Sequence, residues 1–377
     1  MSESTINLFE LVNNVDVLAS TYVNGHLQPF LIIGPPGIAK TTVIEGAFAK
    51  AWAKFAKKKV SVLNFVLSNM EPPDVMGLPI VDRADPEYPC YRYAVPNIIA
   101  QIRKAPTYKD GLVLVNLDEF TKCDSSMQKV ASDFVYNYRI GEYGIPDNVW
   151  IVMTGNRMQD NSGETRQHAM LTNRMPIFNV ELPNKAWVSY ARSIDLPPTC
   201  ISFAERFPDT FVTATPPRSG AFCTPRSFTG LAKYLKSYNE RHGKPLAHVE
   251  DNVFTRNLAY GMIGEAAALE FFAYAKVADA IPSTEDILNN PLTAPVPGIG
   301  QIDAQYAVVN LAVSMAMRNP LDAPAAIKYL LRIPTIELVA RAIIDLNTAT
   351  GSVTMNNPDA SAWLARNKLL IADANIG

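Results

Sequence analysis

The first half of the chain alternates short apolar runs with amphipathic stretches. Between residues 25 and 183 the apolar runs are of strand length and are bounded by polar or turn-forming positions, which favours β-strands. The predicted strands are Phe30–Ile33, Val60–Leu67, Leu112–Leu117, Val149–Met153 and Ile177–Leu182. Strands that alternate with helices predict an α/β fold whose five-stranded sheet is mainly parallel.

Apolar side chains recur with the period of a helix before this region and through most of the chain after it. A helix is predicted over residues 6–22, where apolar side chains recur every three or four positions, and Asn24-Gly25 ends it. After Pro183 the predicted helices cover residues 226–238, 253–275, 304–318 and 336–347. With proline-rich breaks as boundaries, we expect an α/β core over residues 1–185, a helical domain over 186–290 and a helical C-terminal extension over 291–377.

Composition narrows the class of protein. The chain has 377 residues, 48% hydrophobic and 19% charged, which is typical of a globular protein. Its formal net charge of -2 gives no basic bias toward nucleic acid, and the basic run at Lys54 and residues 57–59 is interpreted as a helix end. No apolar run is long enough to cross a bilayer, so a soluble, cytoplasmic protein is expected.

The four cysteines are widely separated and form no CxxC pair, so the sequence indicates neither a zinc site nor a disulfide framework. Reduced thiols are expected.

A Gly/Pro loop between a strand and a helix follows Phe30–Ile33. This context is typical of a P-loop, in which backbone N–H groups and a helix N-terminus bind phosphates. Lys40 is expected to bind phosphate and Thr41 to bind Mg²⁺, which predicts ATP and Mg²⁺ as ligands. Ala39 departs from the general pattern, which has glycine there. The predicted nucleotide-binding residues are Gly34, Pro35, Pro36, Gly37, Ile38, Ala39, Lys40, Thr41 and Thr42.

Two further strands end in polar groups. Asp118 and Glu119 follow Leu112–Leu117, and Asn156 follows Val149–Met153. Because ligands of open α/β sheets bind at the carboxyl ends of the strands, these side chains are expected to meet the loop. Asp118 is the predicted metal ligand, Glu119 the predicted base for the attacking water, and Asn156 the predicted water-positioning group.

Together these motifs resemble the MoxR branch of the AAA+ ATPases, where a P-loop ending in Ala-Lys-Thr is usual. Residues 70–79 are similar to the family's insert before its second core helix, and residues 138–146 are similar to its hairpin before sensor 1. The resemblance covers about residues 25–235. It implies an AAA+ P-loop core followed by an α-helical lid and a helical C-terminal extension.

The resemblance also assigns roles to three arginines and to Asn156. It implies that Asn156 is sensor 1 and that Arg226 is the sensor 2 residue that opens a lid helix. Arg174 corresponds to the arginine finger offered to the neighbouring subunit, with Arg166 as a rival for that role. A finger that acts in trans implies a homo-oligomeric ring, a hexamer in this family.

Three functions are open at this point. The favoured one is an ATPase that remodels or assembles a protein client, with a von Willebrand factor A-domain protein as a candidate partner. Four tyrosines in the two inserts are either client contacts or packing residues, namely Tyr88, Tyr91, Tyr93 and Tyr143. A nucleic-acid motor or loader is disfavoured by the charge of the hairpin tip, where Arg139 faces acidic neighbours. The third function is a nucleotide-gated scaffold with slow turnover.

Overall fold

The computed structural model describes residues 5–82, 90–140, 142–160, 175–213, 216–217, 219–278, 281–350 and 357–373. The chain divides into two compact units. The first runs to Leu182 and also takes in residues 216–217, and the second contains Pro183–Thr213 and the chain from Ser219 onward.

The first unit is built on a parallel sheet of six strands. Their order is β1-β12-β4-β11-β8-β5, and every pairing within it is parallel. The strands are β1 Ile6–Asn7, β4 Phe30–Ile33, β5 Val60–Val66, β8 Leu112–Asp118, β11 Val149–Gly155 and β12 Ile177–Glu181. The predicted α/β class is therefore confirmed, with six strands in place of the expected five.

The additional strand and its neighbours replace the long helix expected over residues 6–22. Two short helices follow β1, namely α1 Glu10–Asn13 and α2 Val15–Leu18. Strands β2 Tyr22–Val23 and β3 His26–Leu27 then pair antiparallel. Asn24 and Gly25 have φ of 53° and 83°, so Asn-Gly forms the turn of this hairpin, a role that Asn-Gly favours because both positions need positive φ.

Helices and two small hairpins complete the first unit. Alternate side chains of β8 enter hydrophobic clusters on opposite faces of the sheet, so both faces are covered. The helices are α3 Lys40–Val43, continued by a π-helical turn Ile44–Phe48 into α4 Ala49–Ala56, then α5 Pro72–Met76, α6 Asn97–Lys104 and α7 Ser125–Asn137. The hairpins pair β6 Pro79–Asp82 with β7 Cys90–Tyr93, and β9 Arg139–Ile140 with β10 Tyr143–Gly144.

The described part of the second unit is helical. Its helices are α8 Asn184–Ser193, α9 Pro198–Arg206, α10 Pro208–Phe211, α11 Pro225–His242, α12 Val253–Ile263, α13 Glu265–Ala278, α14 Thr284–Asn289, α15 Ile302–Arg318, α16 Ala323–Leu330, α17 Ile336–Thr350 and α18 Pro358–Asp373. The single helix predicted over residues 253–275 is two helices, because Gly264 has φ of 82° and breaks it. A side chain at Gly264 would also collide with the Ala221 carbonyl.

A buried polar network joins four helices of this unit. The Arg192 guanidinium donates to Asp345 at 2.6 Å and to Asn310 at 2.8 Å, and Asn310 donates to Glu205 at 2.5 Å. Arg341 also pairs with Glu205 at 2.7 Å. Buried charges are stable only when paired in this way, so the network fixes the register of α8, α9, α15 and α17. None of the helices that the structure describes could cross a membrane.

Candidate active site

The carboxyl ends of three neighbouring strands carry the predicted site. Strand β11 lies between β4 and β8. In the strand register, Gly155 of β11 pairs with Ile33 of β4, and Met153 of β11 pairs with Leu117 of β8. The loop after β4, the acidic pair at the end of β8 and Asn156 after β11 therefore converge on one edge of the sheet, as predicted from the strand ends.

Two left-handed residues shape the loop after β4. Gly37 has φ of 75° and Ala39 has φ of 65°, while Ile38 between them is 1% exposed and anchors the loop in the core. Gly34 packs against β12 so closely that a Cβ would lie 2.6 Å from the Val180 carbonyl oxygen. Pro35 is buried, Pro36 is half-buried, and Thr42 is exposed in the first turn of α3.

Lys40 is held inside this loop. Its side chain is largely buried, and its ammonium group donates to the carbonyl oxygens of Gly34 and Pro35 at 2.8 Å each. It also donates to Asn156 Oδ1 at 2.9 Å. These three acceptors are neutral and hold the ammonium in the loop, and a phosphate anion would be a stronger partner than any one of them.

Thr41 and Asp118 supply adjacent oxygen atoms. Thr41 Oγ1 donates to Asp118 Oδ2 at 2.9 Å, and Thr154 Oγ1 donates to Asp118 Oδ1 at 2.5 Å. A hydroxyl beside a carboxylate is the hard oxygen donor set that Mg²⁺ prefers, with the remaining positions left to water and phosphate. The residues present therefore fit a magnesium ion.

Glu119 is engaged on both of its carboxylate oxygens. Lys122 donates to Oε1 at 2.7 Å and Ser68 donates to Oε2. Glu119 has φ of 56° and starts a 3₁₀ turn, Phe120–Lys122. Lys122, the last residue of this turn, reaches back to Glu119 to make its contact. The predicted base is at the sheet edge, but it is bonded to Ser68 and Lys122.

The same turn fixes Asn156. Thr121, in the middle of the turn, accepts a hydrogen bond from the Asn156 backbone N–H at 3.0 Å. A Cβ on Gly155 would lie 2.4 Å from Thr121 Cγ2, so glycine is needed for this approach. Sequence reasoning missed Ser68, Thr121, Lys122 and Thr154; the one available signal was that Ser68 and Thr154 lie at strand ends.

A third acidic group belongs to the surroundings of Asp118. Burial raises the pKa of the Glu45 carboxyl, and the charge of Asp118 raises it further. Glu45 is one helical turn beyond Thr41, in the π-helical segment. Negative charge therefore accumulates near Asp118, which favours a cation there.

The predicted arginines divide into two groups. Arg174 and Arg166 lie outside the described residues, so their assignments remain predictions. Arg226 belongs to the second unit, where it is exposed in the first turn of α11. That helix begins at Pro225, and Thr224 caps it by accepting from the Ser227 backbone N–H at 3.1 Å, which is the helix start that the sequence predicted.

The two hairpins contact each other. The Tyr143 hydroxyl donates to the Tyr93 carbonyl oxygen at 2.8 Å, and the Tyr93 backbone N–H donates to Glu142 at 3.3 Å. Tyr143 is half-buried and lies under the Arg103 guanidinium, so it packs within the unit. Tyr91 is 72% exposed. Tyr88 lies outside the described residues.

Comparison with known proteins adds little to this geometry. No family model and no curated protein matches the sequence. Among solved structures, a RuvB variant from Thermotoga maritima is 14% identical, with 75% of each chain covered and a TM-score of 0.38. PCH-2 from C. elegans is 17% identical, with 70% of this chain and 68% of that chain covered and a TM-score of 0.37. The ORC2 protein from Aeropyrum pernix is 11% identical, with 94% and 96% covered and a TM-score of 0.40. At these TM-scores the likeness carries no conclusion about this chain.

Proposed function

We propose that this chain is a Mg-ATP-dependent ATPase of the AAA+ type, similar to the MoxR branch. The observation that carries the proposal is the continuous hydrogen-bonded set at one sheet edge. Asn156 bonds to Lys40, and Thr41 next to Lys40 bonds to Asp118. These are the phosphate-binding, metal-binding and water-positioning residue types. They meet at the ends of three strands, although Lys40 and Asn156 are 116 residues apart along the chain.

Each residue has a defined task in this proposal. Lys40 and the loop backbone bind the β- and γ-phosphates. Thr41 and Asp118 hold Mg²⁺, which when bound offsets phosphate charge. Glu119 accepts a proton from the water that attacks the γ-phosphorus, and the bond to the β,γ-bridging oxygen breaks to give ADP and phosphate.

Glu119 must give up a contact before it can act. Both of its oxygens accept hydrogen bonds from Ser68 and Lys122, and a carboxylate that is engaged by an ammonium is a weaker acceptor for the proton of water. We therefore expect a low basal turnover. This observation also favours the second candidate function, a nucleotide-gated scaffold with slow turnover.

Self-association and a protein client complete the proposal. The resemblance supports a ring, hexameric in the family, in which Arg174 of one subunit reaches its neighbour's nucleotide. Client binding is proposed for the hairpin of β6 and β7, because Leu78, Ile80 and Tyr91 are more than half exposed there and exposed apolar patches mark interaction sites. A von Willebrand factor A-domain partner rests on the resemblance alone.

Nucleotide binding is tested by titrating a fluorescent ATP analogue into the wild type and Lys40→Ala. Loss of charge-assisted hydrogen bonds is expected to weaken binding roughly 10- to 100-fold. Lys50→Ala is the matched control, because Lys50 is exposed in α4 of the same helical run. Equal affinity of Lys40→Ala and wild type, with unfolding temperatures also equal, would refute the site.

A further inference from the structure

A small apolar pocket opens between α11 and α12 of the second unit. Its volume is about 170 Å³, which is room for one aliphatic side chain. Leu235 is buried in its lining, whereas Tyr234 and Phe254 are 56% and 64% exposed at its walls. Large aromatic side chains that are held open to solvent around a pocket are typical of a site that receives an anchor residue from a partner.

Arg241 places a positive charge at the rim of this pocket. It lines the pocket beside His242 in the last turn of α11. None of the described residues that line the pocket is acidic. An occupant that carries an apolar side chain beside a carboxylate would match both the pocket and its rim.

The chain itself presents such a group on another surface of the same unit. Leu321 is 87% exposed, more than any other large hydrophobic side chain among the described residues. It lies in a 3₁₀ turn in which Asn319 accepts from the Leu321 backbone N–H at 3.3 Å and donates to Asp322 at 3.0 Å. Leu321 is therefore an exposed apolar side chain on a hydrogen-bonded turn, with a carboxylate next to it, and little backbone freedom is lost when it binds.

We propose that Leu321 of one copy of the chain inserts into the pocket of a second copy, with Asp322 facing Arg241. Two copies that exchange this contact reciprocally close a dimer, whereas one-way repetition of it produces a ring or a filament. Neither surface includes a residue of the nucleotide site. Self-association through this contact therefore does not require ATP hydrolysis.

Site-directed cross-linking of the full chain tests the contact. In a Cys90→Ser background, which removes the exposed native thiol, a Leu321→Cys copy is mixed with a Ser237→Cys copy, because Ser237 lines the pocket. Mild oxidation is expected to give a cross-linked dimer. Leu292→Cys mixed with Ser237→Cys is the control, since Leu292 is 66% exposed in the same unit. Equal cross-linking in both mixtures, or none in either, would overturn the proposal.

A charge exchange gives an independent readout. Asp322→Arg alone and Arg241→Asp alone are each expected to weaken self-association at least about 10-fold by light scattering, and the two together to restore it. Failure of the double variant to recover while all variants keep the wild-type unfolding temperature contradicts the pairing. If a labelled single-stranded oligonucleotide binds instead, and Phe254→Ala abolishes that binding, the pocket has a different occupant and the proposal is wrong.

Discussion

Ala39 has a left-handed backbone, with φ of 65° and ψ of 27°, directly before Lys40. Residues other than glycine adopt this conformation at a cost of roughly 1–2 kcal/mol, because Cβ crowds the following carbonyl oxygen. The sequence shows that alanine replaces the expected glycine. The sequence does not show that the loop keeps the glycine-like conformation. The energy that enforces this conformation comes from burial of Ile38 and Lys40 on either side of Ala39.

Ala39→Gly is expected to raise the free energy of unfolding, by less than about 1 kcal/mol, because relief of strain is partly offset by the greater freedom of glycine in the unfolded chain. Ala39→Val is expected to lower it by more than about 1 kcal/mol, because a β-branched residue tolerates positive φ poorly. Urea unfolding of the three proteins measures both effects. Stabilisation by valine would contradict the left-handed assignment.

The Gly/Pro loop after one strand and the polar residues at the ends of two others were enough to predict that Lys40, Thr41, Asp118 and Asn156 would meet. Their contacts now place them together, while their catalytic roles remain proposals. The side chains that hold them, such as Thr121 and Lys122, could not be predicted. Threonine and lysine are common in turns, and no spacing rule links a turn to the end of a strand 35 residues later.

At the scale of elements, the 3₁₀ turn Phe120–Lys122 connects the acidic strand end to Asn156. Phe120 is fully buried and anchors it, Thr121 accepts from the Asn156 backbone N–H, and Lys122 pairs with Glu119. One turn therefore positions two of the proposed catalytic groups.

Thr121→Val is expected to remove the acceptor for the Asn156 N–H while keeping the shape of the side chain. A buried donor without a partner costs about 1–3 kcal/mol, so both stability and the rate of ATP turnover should fall. Thr121→Ser retains the hydroxyl and is the control for turnover. Thermal unfolding and steady-state hydrolysis give the readout, and wild-type behaviour of the valine variant would show that the bond has no role.

Local pattern predicted the central strands well and the terminal elements poorly. The mainly apolar run of β8 is buried on both faces of the sheet, so the sequence signal and the structure coincide. Within residues 6–22 the apolar side chains recur every three or four positions. Two short helices flanked by strands satisfy that spacing as well as one long helix would. The parallel pairing of Ile6 with Val180 determines that the segment begins as a strand. This contact spans 174 residues, so no local pattern contains it.

At the scale of the whole molecule, the proposed active site is complete only when two subunits meet. Arg174→Ala is expected to lower turnover by about 10³- to 10⁵-fold, the contribution of comparable arginine fingers. The measurement is steady-state hydrolysis at a protein concentration where assembly is verified by light scattering. Arg166→Ala is the matched comparison, because it tests the rival finger.

Mixing experiments separate action in trans from action within one subunit. Arg174→Ala and Lys40→Ala are each expected to be inactive. Mixed in equal amounts, they are expected to regain about a quarter of wild-type turnover, because that share of random interfaces pairs an intact Lys40 with an intact neighbouring Arg174. No recovery in assembled mixtures would place the finger in its own subunit or remove its role.

The most direct test of the account is Mg-ATP hydrolysis by the wild type and by Glu119→Gln, measured together with mass by light scattering. We predict measurable turnover by the wild type, a loss of roughly 10²- to 10⁴-fold in Glu119→Gln, and nucleotide-dependent assembly in both proteins. Equal turnover in the two proteins would contradict the account, because Glu119 would then not be the base. Assembly without any wild-type turnover would contradict the ATPase and leave the nucleotide-gated scaffold.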